Sequence, residues 1–193
     1  MLTGRTVRDL LAAFASAEPT PGGGSAAALA SSVGASLLIM VAALPKTRAN
    51  SDEDRAALAA ATASLTVLRE RLTEAIDADT TAYDQVVAAY KLPKAADEEK
   101  AARAAAIQTA LRAATDVPLG VMRWSAQALD TATAVGAHGH AAASSDVGVA
   151  TALLRAGLEG ARLNVAANLG GIKDEEYACA VSGEVERLAG GAR

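Results

Sequence analysis

The chain has 193 residues, 51% of them hydrophobic but only 3% aromatic, and a formal net charge of −4 from 18 basic and 22 acidic side chains. That balance argues against a general nucleic-acid binder, which would carry a basic surface, and a core poor in rings must be built from Ala, Leu and Val, which suit close helix packing. The length predicts one domain, residues 1–193, large enough to bury a core, and the single cysteine, Cys179, excludes an intramolecular disulfide and fits a reducing, cytoplasmic compartment.

The first segment, MLTGRTVRDLLAAFAS, interrupts its apolar run with Arg8 and Asp9. It predicts an amphipathic helix over roughly 4–17 rather than a signal peptide. From Pro19 to Leu44 the chain reads PTPGGGSAAALASSVGASLLIMVAAL, without one charge. A Walker loop needs a lysine after its glycines, and a Rossmann turn needs a strand before them; this stretch has neither. Gly22, Gly23 and Gly24 can adopt backbone angles that other residues avoid, and Ser25 suits a cap for the helix that follows, over roughly 24–44. Free N–H groups at such a turn favour an anionic or carbonyl group of a ligand, although a turn plus a cap accounts for the same residues. The helix is long enough for a membrane span. Its Ala, Ser and Gly content and the lack of a basic cluster before it predict instead the buried central helix of a bundle, with no membrane as partner.

A third helix is predicted from about Ser51 to Tyr90, with the acids of SDEDR in its first turn and Pro93 ending it. A fourth covers roughly 96–114; Asp116 and Pro118 then read as the cap and early-turn proline of a fifth, running to about Ala137. GAHGHAAASSD reads as a loop. Ser144 or Ser145 caps a sixth helix to about Leu169, and KDEEYACAVSGEVERLAG forms the last. No segment shows sustained period-two alternation. The fold class is all-α: a single-domain bundle with long antiparallel helices.

The third helix holds the most informative acid. With Tyr83 at zero and about 100° per residue, Ile76, Val86, Val87 and Tyr90 fall within about 60° and make one apolar stripe. Asp79, at about −40°, lies inside that stripe, whereas Asp84 and Asp77 lie off its edge at about 100° and 120°. A carboxylate on a core-facing stripe loses hydration, and its pKa rises unless something pairs with it. Such a group suits general acid–base work or the steadying of a cation; a structural ion pair, or a hydrogen bond to a neighbouring helix end, is the alternative. His138 and His140 are two apart in a loop with only Asp146 nearby, too few ligands for a zinc site, so no metal is expected. On the sixth helix Asp146, Asn164 and Asn168 share one side, but the 18 residues from Asp146 to Asn164 span about 27 Å of helix. The two serve different ends of a site, or two subunits contribute, or they are polar residues at a helix seam.

Four stretches, PTPGGGSAAALASSVGA, DADTTAYDQVVAAYKLPK, SSDVGVA and NVAANLGGIKDEE, together resemble the cyclodeaminase/cyclohydrolase family, over about residues 5–180. The family includes the C-terminal domain of formiminotransferase-cyclodeaminase and stand-alone methenyltetrahydrofolate cyclohydrolases. LPKAADEEKAARAAAIQTALRAATDVPL looks especially like the stand-alone branch. The resemblance implies an all-helical homodimer acting on a tetrahydrofolate one-carbon adduct with no further cofactor. It implies hydrolysis of 5,10-methenyltetrahydrofolate first, ammonia-releasing cyclodeamination of 5-formiminotetrahydrofolate second, and folate binding without catalysis as a third reading. It makes Pro21, Gly22, Gly23, Gly24 and Ser25 a ligand-binding turn. It places a catalytic acid in DADTTAYD, with Asp79 favoured and Asp84 in reserve. It assigns Lys91 and Lys94 to the folate carboxylates, and Ser145, Asp146 and Asn164 to the pocket lining. The chain departs from the pattern after the second helix, where some members carry a lysine run and this one only Lys46 and Arg48, and at the histidines of GAHGHAAASSD. No formiminotransferase segment accompanies these residues, so channelling within one chain is not expected.

Overall fold

Four long helices carry the core: α2 (Gly23–Ala42), α3 (Asp52–Tyr90), α4 (Asp97–His138) and α5 (Ser144–Leu169). The structure, a computed structural model, describes residues 1–191. Short connections make consecutive helices antiparallel, and each packs on two neighbours in the cyclic order α2, α3, α4, α5. α1 (Val7–Phe14) and α6 (Glu175–Gly191) lie outside this ring, α6 against α4 and α5. The described residues contain no strand, as expected for the all-α class.

The core is aliphatic, as the composition requires. Leu38, Leu65, Leu72, Leu119, Met122 and Leu154 are its largest fully buried side chains. α2, the uncharged helix, is long and apolar enough to cross a membrane by length and composition; here it packs between α3 and α5, with ten residues buried from Gly24 to Val41. Small residues set its distance from α5. A methyl group added at Gly157 would overlap Ser31 Oγ and lie 2.6 Å from the Ala27 carbonyl. Ser31 in turn shares a 2.7 Å hydrogen bond with Ser125 of α4, so three helices meet where only Gly fits.

Two expected caps are filled differently. The N-cap of α5 is Ala143, which ends a single 3-10 turn (Ala141–Ala143), and neither Ser144 nor Ser145 caps the helix. Ser25 is the third residue of α2 rather than its cap, because Gly22 holds the N-cap position. Ser51 does cap α3, accepting from the Asp54 N–H at 3.1 Å. Asp54 then receives Thr47 Oγ1 at 2.8 Å and the Ala49 N–H at 2.6 Å, and meets His138 Nδ1 at 2.9 Å. The Ala49 N–H and His138 hold its carboxyl down to about 2, against the opposing effect of burial. His138 therefore ties the end of α4 to the α2–α3 connection, and His140 Nδ1 accepts from the Ala142 N–H at 3.3 Å. Among the described residues no cluster of three metal-ligating side chains forms.

The largest difference from expectation lies at Pro118. The segments expected as two helices are one, the 42-residue α4, with Pro118 inside it. An internal proline removes one N–H and leaves the carbonyl four residues earlier, here Ala114, without its helical donor. Asn168 of α5 supplies a replacement: its Nδ2 donates to the Ala114 carbonyl at 2.7 Å. Thr115 Oγ1, fully buried, also donates back to the Leu111 carbonyl at 2.8 Å. Asp116, expected as a cap, instead accepts from Tyr177 Oη of α6 at 2.8 Å.

Candidate functional site

The N-terminus of α2 meets the C-terminal third of α3, the first half of α4 and the last turns of α5, around a cavity of about 300 Å³. Its walls are the turn Pro19, Thr20 and Gly22–Gly24, then Asp79, Tyr83 and Val86 of α3, Leu111 and Ala114 of α4, and Asn164 and Asn168 of α5.

Asp79 is held in an asymmetric way. Its Oδ2 accepts from the Ser25 N–H at 2.8 Å and from Ser25 Oγ at 3.0 Å. Ser25 Oγ also lies 2.9 Å from the Ile76 carbonyl, which anchors the serine to α3. The carboxylate thus caps the N-terminus of α2 from a neighbouring helix, where the helix dipole favours negative charge. Among the described residues Oδ1 has no hydrogen-bond donor, and it faces the space left by Gly24. A methyl group at Gly24 would overlap Oδ1 and lie 2.8 Å from Oδ2. Burial raises the Asp79 pKa, and the two Ser25 hydrogen bonds oppose the rise without cancelling it.

The glycine turn works through space rather than through unusual angles. No glycine among the described residues has positive φ, and Gly22 is extended at φ −114. Gly24 leaves room for a carboxylate, and Gly23 lies against the Asn164 amide, which a methyl group would approach to 3.4 Å. Asn164 Nδ2 donates to the Gly160 carbonyl at 2.8 Å.

Of the residues singled out by sequence, the cavity brings together Gly22, Gly23, Gly24, Asp79 and Asn164, with Ser25 directly behind Asp79. Pro21 is half-buried in the same turn, outside the cavity wall. Asp84 is exposed and does not line the cavity, and Asp77 anchors the N-terminus by accepting from the Leu2 N–H and, at 2.6 Å, from Thr3 Oγ1. The three acids of the segment therefore have three different surroundings. Lys91 and Lys94 are exposed just past the end of α3, and Lys91 is about 18 Å along the helix axis from Asp79. Ser145 and Asp146 lie at the opposite end of α5 from Asn164, away from this cavity. The stripe that pointed to Asp79 is off centre: Tyr83 and Tyr90 are 42% and 52% exposed, while Ala75, Ala82 and Ala89 are buried. Tyr83 is instead an aromatic wall of the cavity. Asn168 was visible as a polar residue on the α5 face, but its link to Ala114 depends on α4 staying helical through Pro118.

A sequence profile described as formiminotransferase-cyclodeaminase matches residues 6–187. The chain is 43% identical over 178 residues to a methenyltetrahydrofolate cyclohydrolase of Methylorubrum extorquens, covering 92% of this chain and 86% of that one. It is 31% identical to a formimidoyltransferase-cyclodeaminase of Sus scrofa, covering 95% of this chain and 34% of the relative. This chain therefore spans about a third of that longer protein. The crystal structure of formiminotetrahydrofolate cyclodeaminase from Thermotoga maritima shares the fold, with a TM-score of 0.87 at 22% identity, over 100% of this chain and 92% of that one.

Proposed function

The chain belongs to the formiminotransferase-cyclodeaminase family, and from that premise we propose that it is an enzyme that hydrolyses 5,10-methenyltetrahydrofolate to 10-formyltetrahydrofolate. The observation that carries the proposal is the Asp79 carboxylate, with Oδ2 fixed by Ser25 and Oδ1 left free at the cavity. The substrate carries a cationic amidinium carbon between N5 and N10. A carboxylate beside it stabilises that charge and takes a proton from the attacking water. Water oxygen bonds to the bridging carbon to give a neutral carbinol. The bond from that carbon to N5 then breaks, the hydroxyl becomes the formyl carbonyl on N10, and N5 receives a proton from Asp79. One proton is released overall, and no redox or metal step is required by this chemistry. The glutamate carboxylates of the folate tail are assigned, on the family resemblance, to Lys91 and Lys94, which are exposed just past the end of α3.

Cyclodeamination of 5-formiminotetrahydrofolate is the second reading, favoured by the relatives at 31% and 33% identity that bear that name. There N10 attacks the formimino carbon, the same acid protonates the amino group that this leaves on the bridging carbon, and the bond to that group breaks to release ammonia. The deciding experiment follows the loss of methenyltetrahydrofolate absorbance with purified protein against spontaneous hydrolysis at the same pH. Acceleration in proportion to enzyme supports hydrolysis. Its absence, with ammonia released from formiminotetrahydrofolate, replaces it with the second reading.

Homodimerisation in the cytoplasm is part of the same proposal. On α2, Ala26, Ala30, Val33, Leu37 and Met40 recur at alternating steps of four and three, the seam spacing of paired helices. Val33 and Met40 are 43% and 40% exposed on this uncharged face. Antiparallel pairing of two such seams would carry the N-terminus of the partner's α5 towards the α2 N-terminus of the first subunit. That gives Ser145 and Asp146 a route to a site they do not reach within one chain. Val33→Glu combined with Leu37→Glu is expected to shift the particle to the monomer mass in light scattering; an unchanged mass would remove this seam as the interface.

A further inference from the structure

Resting on the folate reading above, we infer that Asn168 is a specificity residue for the pterin ring and that Pro118 positions it. The argument begins with the missing N–H. Pro118 cannot donate to the Ala114 carbonyl, which stays open on the flank of α4 facing α5. Asn168 Nδ2 fills it at 2.7 Å. Because a carbonyl only accepts, this contact fixes the amide orientation: nitrogen to Ala114, oxygen away from it. Asn164, one turn earlier, is fixed in the same way, with its nitrogen on the Gly160 carbonyl at 2.8 Å.

Both amides line the cavity. Each Nδ2 spends one of its two N–H donors on a backbone carbonyl, and among the described residues neither Oδ1 has a donor, so the acceptor of each amide stays open to a ligand. Asp79 Oδ1 also has no donor among the described residues, so the wall that these three residues share with Tyr83 is rich in open acceptors. Such a wall suits a flat, donor-rich edge. The pterin ring supplies one through its adjacent 2-amino group and N3–H. The wall is also braced: Gln108 of α4 donates to the Gly171 carbonyl at 3.0 Å and accepts from the Lys173 N–H at 2.8 Å, clamping the end of α5.

Restoring the N–H with Pro118→Ala gives Ala114 a competing helical donor and loosens the Asn168 amide. Asn168→Ala removes the acceptor outright. Loss of one such acceptor from a site built to hydrogen-bond its ligand is expected to raise KM for methenyltetrahydrofolate about 10–100-fold, with kcat within about threefold. Pro118→Ala is expected to raise KM by about 3–10-fold alone, and to add nothing in the Asn168→Ala background. A purely structural proline would give additive effects in that cycle. Additive effects, or an Asn168→Ala protein with unchanged KM, overturn the inference. Fluorescence titration of the wild-type protein with tetrahydrofolate separates the two levels. A wild-type protein that neither binds it nor turns over methenyltetrahydrofolate overturns the folate reading and this inference with it. A wild-type protein that binds, beside variants that bind equally well, overturns this inference alone.

Discussion

Asp79→Asn is expected to lower kcat for methenyltetrahydrofolate hydrolysis by about 10²–10⁴-fold, the range for loss of a positioned general base. The substitution keeps an oxygen that can accept from the Ser25 N–H, now 2.8 Å from Oδ2, so the trans-cap on α2 survives. What it removes is the negative charge beside the amidinium and the basic lone pair at Oδ1. Stability is expected to hold or rise. Burial raises the folded pKa of Asp79 above that of the unfolded chain. The stabilising contribution of the protonated form is therefore fully present below the unfolded pKa and is lost as pH rises through the folded one. At neutral pH the charged group is a cost that asparagine does not carry. The same direction sets the pH profile. The acid limb of kcat/KM reports the free enzyme, and so lies above the ordinary carboxylate range of about 4. In kcat it moves lower, because the bound cation favours the carboxylate. An Asp79→Asn protein with full turnover, or coincident acid limbs in the two profiles, would remove Asp79 from the chemistry.

Much of the bundle can be read from one sequence because helix periodicity and caps are local. Ser51 with its following acids, and the charge-free α2, fall where the sequence places them. What fails is decided between elements. Pro118 has the local signature of a helix start, and the structure overrides it because the carbonyl it orphans is bonded by a residue 54 positions later. Ser25 has the signature of a cap, but the cap of α2 comes from α3. Tyr83 looks like core and is a cavity wall, since an apolar stripe says which face is covered and not whether protein or a void covers it. Asp79 was reachable because a carboxylate close to an apolar face is a local anomaly. Asn168 gained its meaning only when α4 proved continuous.

Gly24→Ala is expected to match Asp79→Ala in lost activity while costing the fold little. No positive φ is involved, so backbone strain does not decide the outcome. The added methyl meets all three atoms of one group: it overlaps Oδ1, lies 2.5 Å from Cγ and 2.8 Å from Oδ2 of Asp79. Those atoms are the far end of a rotatable side chain, so the carboxylate swings away and the helices stay. The consequence falls on the site, because the rotation breaks both bonds from Ser25 and moves Oδ1 from the cavity. A misplacement of about 1 Å from productive geometry can cost a hundredfold in rate. Gly157 gives the contrast. There the methyl would lie 2.6 Å from the Ala27 backbone carbonyl, so the helix pair itself must separate, and Gly157→Ala is a stability defect. The double variant makes the assignment specific. With Asp79→Ala already in place, the methyl at Gly24 has no carboxylate to displace, so Gly24→Ala should cost no further activity and leave the melting temperature unchanged. If Gly24→Ala instead lowers the residual rate by the same factor in both backgrounds, the glycine acts on the ligand directly, and the space it leaves for Asp79 is not its role.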